Sequence, residues 1–358
     1  AVTQSLNQIT GQTMQKCLAT VGMTIDDVSL LRMAHTGEAT QAIASGQVTG
    51  GISATFRLTQ LLLNEGPGSY NILCSGWESN PSISSVWYAT GDWLAANEDM
   101  ALAINIASLM SARWAQESKE AWIDYAVENV GADRLTPEAA AMDYDRLVGE
   151  LDMWPVNGSL DRELMDTTLQ TSFDFEAIPQ RYEVDDLVTF KYQNQALAVL
   201  GTAERTYFGP SPVSQEEAIA DLKAKVEGQT VRIGTSAYPN ASITGAFKTA
   251  DILREEFGVN VDFSVQDSDP LVAATIAGEV DVGQLSLSGV ASAVAVGADF
   301  VAFGGDDQAN SFLVAAKAPI TSMEELRGET VAVTQSLNQI TGQTMQKCLA
   351  TVGMTIDD

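Results

Sequence analysis

Apolar and polar residues alternate along this chain in short β-branched runs, and most runs are followed by a stretch with helical spacing. From residue 229 onward, Gln229–Ser236, Val259–Gln266, Val280–Leu285 and Phe300–Gly304 read as strands. Thr244–Phe257, Leu271–Gly278 and Gly289–Val296 read as the helices between them. Repeated βαβ units with short connections predict a parallel-rich sheet flanked by helices. Ser311–Ala316 is a further strand. A second run of the same kind opens with a short helix at Ser322–Arg327, a strand at Glu329–Thr334 and a helix at Gly342–Val352. It resumes near the other end of the chain. There Val28–Met33, Gly50–Ala54 and Ser69–Ser75 read as strands, and Gly37–Ser45 and Leu58–Asn64 as helices. Ser84–Thr90 is a strand leading out of it. Residues 92–190 are helical in character, with 3.6-residue periodicity over Met100–Gln116, Lys119–Val130, Pro137–Leu151 and Asp161–Phe173. Thr202–Gln215, with two prolines, a glycine and little periodicity, reads as a linker.

The second run is split across the two ends because residues 332–358 repeat residues 1–27 letter for letter, both reading AVTQSLNQITGQTMQKCLATVGMTIDD. Diverged duplications do not stay identical over such a length. The expectation is a chain cut from a tandem array or circularly permuted with an overlapping end. The predicted organisation is lobe 2 at residues 1–80 and a crossover and helical part at 81–200 that packs on lobe 1. A linker or repeat seam follows at 201–215, lobe 1 at 216–320, and a second copy of the opening strand–helix unit of lobe 2 at 321–358. The fold holds one slot for that unit. If residues 1–27 fill it, residues 332–358 are left with an apolar face that would seek the same slot in another molecule.

Composition narrows the function. Lys and Arg number 19 against 47 Asp and Glu, a net charge of −28, which repels nucleic acid and anionic lipid. The excess suits solubility in a salty or extracellular medium, and no acidic loop of EF-hand spacing accompanies it. Of three cysteines, Cys348 is the copy of Cys17, so the unique pair is Cys17 and Cys74. Neither lies in a metal or CxxC spacing. The expectation is two buried free thiols, with a disulfide in an oxidising compartment as the alternative. No run of 18 apolar residues is present. With one histidine, no GxSxG elbow, no P-loop and no GxGxxG after a strand, the chain carries no catalytic set and reads as a non-enzyme, with no metal and no cofactor.

Read in the order 214–358 and then 28–200, the chain resembles the nitrate/sulfonate/taurine class of ABC-transporter substrate-binding proteins, the type II periplasmic binding proteins. The resemblance rests on TVRIGTSAY at 230, IAGEVDVGQLSLSGV at 276, PITSMEELRGETVAVTQSLNQITG at 319, ATQAIASGQVTGGISA at 39 and the helical stretch beginning SISSVWYATGDWLAANEDM at 82. WPVNGSLDRELM at 154 adds to it. It implies an α/β, two-lobed fold, each lobe a parallel-rich sheet flanked by helices, with crossovers near Ala316–Thr321 and Pro81–Tyr88. The ligand would sit between the lobes at the C-terminal ends of the strands. An extracytoplasmic location, at the periplasm or cell surface, and an ABC permease as partner follow from the same resemblance.

Helix starts with hydroxyl residues are the natural holders of a small anion, because unpaired N–H groups and the positive end of the helix dipole converge there. The candidate ligand residues are Ser236 and Tyr238, Ser286 and Ser288, Thr3, Ser5 and Asn7, and His35. Each of these hydroxyls is equally suited to ordinary N-capping. Thr55 lies in a further such loop, and Arg57 beyond it is either a clamp for a sulfonate or carboxylate or half of a surface ion pair. Trp77 is either a pocket wall or plain packing at a strand end. Gly304-Gly305-Asp306-Asp307 reads as a solvated turn, with a ligand amine on Asp306 as the other reading. The leading expectation is a solute-binding protein for a sulfonate, nitrate, carboxylate or pyrimidine-like ligand. The alternative is a structural repeat of a surface polymer or filament, self-associating through residues 332–358 by domain swapping.

Overall fold

The computed structural model describes residues 9–33, 36–203, 216–235 and 241–334. Ten strands lie among them: β1 (Ser29–Met33), β2 (Gly50–Ala54), β3 (Tyr70–Ser75), β4 (Val86–Thr90), β5 (Thr230–Thr235), β6 (Asn260–Val265), β7 (Val282–Leu285), β8 (Phe300–Gly305), β9 (Phe312–Lys317) and β10 (Thr330–Thr334). They form two five-stranded mixed sheets in two compact units, the α/β architecture that the hydropathy pattern predicts. The first unit takes Ala1–Pro81, Gln170–Pro179 and Asn310–Asp358, and the second Ser82–Leu169 and Gln180–Ala309.

The first unit's sheet runs β1-β10-β2-β9-β3. β1, β10 and β2 are parallel, and β9 is antiparallel to both of its neighbours. Its core joins Met14, Cys17 and Leu18 from the Ile9–Ala19 helix to Ile52, Val314, Val331 and Ala332 on the strands. Two expectations are corrected here. Cys17 and Cys74 are not free thiols but a disulfide, with Cα atoms 5.6 Å apart. The inward face of the helix brings Cys17 onto β3 within the span a disulfide requires. The chain also enters this unit at Asn310 rather than near Ala316–Thr321. The reason is that Phe312–Lys317 is itself the antiparallel strand between β2 and β3.

The duplicated segment divides its slot between its two copies. β10 includes Ala332, Val333 and Thr334 from the second copy, while the helix packed beside it, Ile9–Ala19, belongs to the first. Residues 1–27 alone therefore do not fill the slot. Chain continuity explains the split. β10 arrives from the Glu324–Leu326 turn, and the helix leads on through residues 20–28 into β1 at β10's side. Asp27 ties the two approaches together: Arg327 Nη1 donates to its carboxylate at 2.5 Å, and Gly328 N donates to its carbonyl at 2.9 Å. Close strand approach sets one residue type. A Cβ at Gly51 would lie 2.5 Å from the Ala332 carbonyl oxygen and 2.8 Å from its Cβ.

The second unit's sheet runs β6-β5-β7-β4-β8 and repeats the pattern: three parallel strands, then an antiparallel strand, then an edge strand. The antiparallel members are β9, which follows the chain's entry into the first unit at Asn310, and β4, which follows its entry into the second unit at Ser82. The Glu98–Glu117 helix packs on the Thr244–Glu255 and Lys191–Leu200 helices. The last of these falls where the hydropathy pattern showed no helix. It ends on a buried cation. Arg113, 5% exposed, donates to the carbonyls of Val156, Leu200 and Gly201 at 3.0, 3.2 and 2.6 Å. A guanidinium at a helix C-terminus satisfies carbonyls that the helix leaves open. Burial holds the Arg113 pKa below its ordinary value.

Candidate functional site

In the second unit β5 and β7 are parallel, so their C-terminal ends share one edge of the sheet, with Thr235 opposite Gln284. β4 runs the other way, so its beginning lies at that edge, Val86 pairing with Leu285 and with Gly305. Topology alone therefore gathers Thr235, Gln284, Ser85 and Asp306 from four distant stretches of chain. All four are buried, and they are joined by hydrogen bonds. Thr235 Oγ1 donates to Gln284 Oε1. Gln284 Nε2 donates to the Asp306 carboxyl and to Ser85 Oγ, the latter at 3.2 Å. Ser85 Oγ also accepts from Asp307 N at 3.2 Å, and Ser159 Oγ donates to the Asp306 carbonyl at 2.9 Å. A water-sized polar cavity lies beside Asp306, lined by Asn105, Ser108, Ser111, Trp154 and Ser159 among others.

This corrects the reading of Gly304-Gly305-Asp306-Asp307 as a solvated turn, since Asp306 and Asp307 are only 4% and 7% exposed. Burial is the main cause that pushes the Asp306 carboxyl up, to about 7, against the lowering effect of its bonds to Gln284, Ser85 and Asp307. Burial, and then the neighbouring Asp306 charge, raise the Asp307 pKa well above its ordinary value. Two carboxyls this close and this dry cannot both ionise at low cost.

Immediately after β7 comes the Leu287–Ala295 helix. Ser286 is its N-cap, with Oγ accepting from Gly289 N at 3.1 Å, and Ser286 Oγ lies 3.2 Å from Ser288 Oγ. The structure thus brings Ser286 and Ser288 together at the same sheet edge as the buried network. Ser286 performs the capping role that was its alternative reading, while Ser288 is buried.

In the first unit Thr55 opens the Thr55–Glu65 helix at the end of β2. Its N–H donates to the Ser311 carbonyl at 3.1 Å. Its hydroxyl is buried and has no hydrogen-bond partner among the described residues. Arg57 follows on the same helix, half-buried, with its guanidinium 5.5 Å from the Phe56 ring centroid. Trp77, in the short Gly76–Ser79 helix, packs against the hydrophobic core of this unit, as its packing reading expected. Ser236, Tyr238, Thr3, Ser5, Asn7 and His35 lie outside the described residues. The residues that hydropathy reading passed over are Thr235, Ser85 and Gln284. One signal for Gln284 was present: an amide within the apolar run VGQL, in a strand buried along its whole length.

Among the described residues, no group of three or more His, Cys, Asp or Glu is placed to hold a metal ion. No described helix is long and apolar enough to cross a membrane. No protein-family model and no curated protein sequence matches the chain. Solved structures are similar to it at low identity. The Escherichia coli murein tripeptide binding protein MppA is 13% identical, over 84% of this chain and 57% of that one, with a TM-score of 0.37. Haemophilus influenzae OppA, solved in complex with RPPGFSPFR, is 10% identical over 86% and 59%, with a TM-score of 0.33. A phosphate-binding protein of a Streptococcus pneumoniae phosphate ABC transporter is 10% identical over 91% and 92%, with a TM-score of 0.30. The chain spans little more than half the length of the first two.

Proposed function

We propose that this protein is an extracytoplasmic solute-binding protein that captures a small ligand for an ABC permease, and that it is not an enzyme. The sequence resemblance along nearly the whole repeat supports this reading, as does the matching strand order of the two sheets. The observation that carries it is the edge where β5 and β7 end. A fully hydrogen-bonded polar platform (Thr235, Gln284, Ser85, Asp306) lies there beside a helix start bearing Ser286 and Ser288. Open α/β sheets bind ligands at the carboxyl ends of their parallel strands, where loops are free of the sheet ladder and helix N–H groups point outward. The platform does not itself reach solvent. Its part is to hold the Leu285–Ser288 backbone rigid beneath the ligand, so that little ordering entropy is lost on binding.

The proposed ligand class is a small anion: a sulfonate, nitrate, carboxylate or pyrimidine-like ligand. The hydroxyls and amides at Ser286–Ser288 suit an acceptor-rich group, and burial, which raises the Asp307 pKa, disfavours negative charge beneath it. Thr55, Arg57, Ser236, Tyr238, Thr3, Ser5, Asn7 and His35 are proposed as further ligand residues. The Cys17–Cys74 disulfide supports an oxidising, extracytoplasmic setting. The test is a thermal-shift screen of nitrate, taurine and other sulfonates, small carboxylates and pyrimidines. One class is expected to raise the melting temperature in a saturable way, as binding to the folded state alone requires. A screen in which no compound shifts it counts against the proposal.

A further inference from the structure

The chain enters the second unit at Ser82 and finally leaves it at Ala309. Just inside these two points it is fastened to itself. The Asp307 carbonyl accepts from Ser84 N at 2.9 Å and from Ser85 N at 3.0 Å, and Asp306 N donates back to the Ser85 carbonyl at 3.3 Å. Asp307 N donates to Ser85 Oγ at 3.2 Å. These backbone amides tie the entering segment to the leaving one, so neither can swing out while the bonds hold. The junction is dry, because Ser85, Asp306 and Asp307 are all buried.

The side-chain donors of the junction are aimed at one carboxyl. Gln284 directs its amide hydrogens to Ser85 Oγ and to Asp306. Ser85 Oγ, already accepting from Gln284 and from Asp307 N, keeps its own hydrogen for Asp306 Oδ2, 3.4 Å away. Neither donor is charged. Around the cavity beside Asp306, the Glu98–Glu117 helix presents Asn105 and Ser108, and the Lys191–Leu200 helix presents Gln193. The intervening chain presents Trp154 and Ser159. None of these side chains titrates in the range of a carboxyl. Arg113, on the same helix as Asn105, spends its guanidinium on the carbonyls of Val156, Leu200 and Gly201. The groups acting on Asp306 are Gln284, Ser85 and Asp307, and those acting on Asp307 are Asp306, Ser85 and Trp154, with no cation among them. A carboxylate in such a place is costly, and a proton is the simplest way to remove its charge.

We propose that the Asp306–Asp307 pair is a proton-linked latch: the closed junction keeps protons on the pair, and the entering and leaving segments open together as those protons are lost. In the open junction the carboxyls meet water and return to the ordinary carboxylate range. In the closed one, burial raises Asp306 to about 7 and raises Asp307 well above its ordinary value. The closed junction is thus favoured in full below about pH 4 and loses that advantage as the pH rises toward about 7. Each proton released makes opening about tenfold easier per pH unit. The latch operates without ligand, as a local opening within one unit.

Site-resolved hydrogen exchange of the full-length, ligand-free protein between about pH 4.5 and pH 7.5 tests this. Rates are corrected for the intrinsic base catalysis of exchange, so that protection reports the opening equilibrium. The amides of Ser84, Ser85, Asp306 and Asp307 are expected to exchange faster than those of β5 and to lose protection together as the pH rises. The loss is expected to be steepest in the unmodified protein, about tenfold per pH unit for each proton released. It is expected to be shallower in Asp306→Asn and in Asp307→Asn, and absent in the double variant. Protection at these amides that does not change with pH in the unmodified protein would overturn the proposal, and that result requires no variant to fold. So would separate pH profiles for the two segments. Rates and slopes equal to those of β5 would also overturn it, because the whole unit would then be opening rather than the junction.

Discussion

At the scale of single residues, the Asp306–Asp307 pair makes the sharpest prediction. Burial raises the folded-state pKa of Asp306 from 3.8 to about 7. The folded protein therefore keeps a proton that the unfolded chain releases. Asp306 makes its full contribution below about pH 4, and that contribution is lost as the pH rises to about 7. Asp306→Asn preserves a carbonyl acceptor for Gln284 and cannot ionise. The variant is expected to match the unmodified protein in urea denaturation at pH 4 and to be more stable than it at pH 7.5. A variant that is less stable at both values contradicts the burial account. Ser286→Ala removes a helix N-cap, worth about 1 kcal/mol of stability. If Ser286 also touches ligand, the ligand-induced rise in melting temperature is lost as well, whereas a purely structural cap leaves that rise intact. Ser286, Ser288 and Thr55 were legible in the sequence because hydroxyl residues follow recognisable strands. Asp306 was misread because GGDD has the composition of an exposed turn. Its burial depends on Gln284 and Ser85, which lie 22 and 221 positions away and which no local pattern connects to it.

At the scale of elements, the strands were the most legible part of the fold. Their β-branched alternation located all ten, with Gly50–Ala54 matched at both ends and Val280–Leu285 shortened to Val282–Leu285. The helix at Lys191–Leu200 was missed. Its buried positions are Tyr192, Gln193, Ala196 and Leu200, and a glutamine on the inner face breaks the apolar signal. Gln193 is inside because its Oε1 accepts from Leu160 N at 3.0 Å. The Pro137–Leu151 reading is right in extent, but its second half, Asp145–Glu150, winds as a π-helix. Two substitutions test what holds the elements together. Gly51→Val places side-chain atoms where β10 passes and is expected to cost about 3 kcal/mol by forcing the strands apart. Arg113→Met strands three carbonyls, two of them buried, and is expected to cost about 3 kcal/mol. Urea midpoints measure both.

At the scale of the whole molecule, the duplicated 27 residues are half used at each end. β10 draws on the second copy and its neighbouring helix on the first. The described part of the sheet is thus completed by elements of one chain, β10 from the second copy and its neighbouring helix from the first. Two truncations make this concrete. Removing residues 335–358 takes away nothing that the described sheet uses and is expected to leave the melting temperature unchanged. A truncation at residue 329 removes the central strand β10 and is expected to abolish folding. Analytical ultracentrifugation and thermal melts distinguish these outcomes. The claim on which the functional reading turns is that a small solute binds at the strand edge bearing Ser286 and Ser288. The most direct measurement is backbone hydrogen exchange, with and without the compound that raises the melting temperature. The account predicts added protection at the amides of residues 285–290, with the Glu98–Glu117 helix unchanged. Protection that leaves residues 285–290 untouched, or none with any compound, would contradict it.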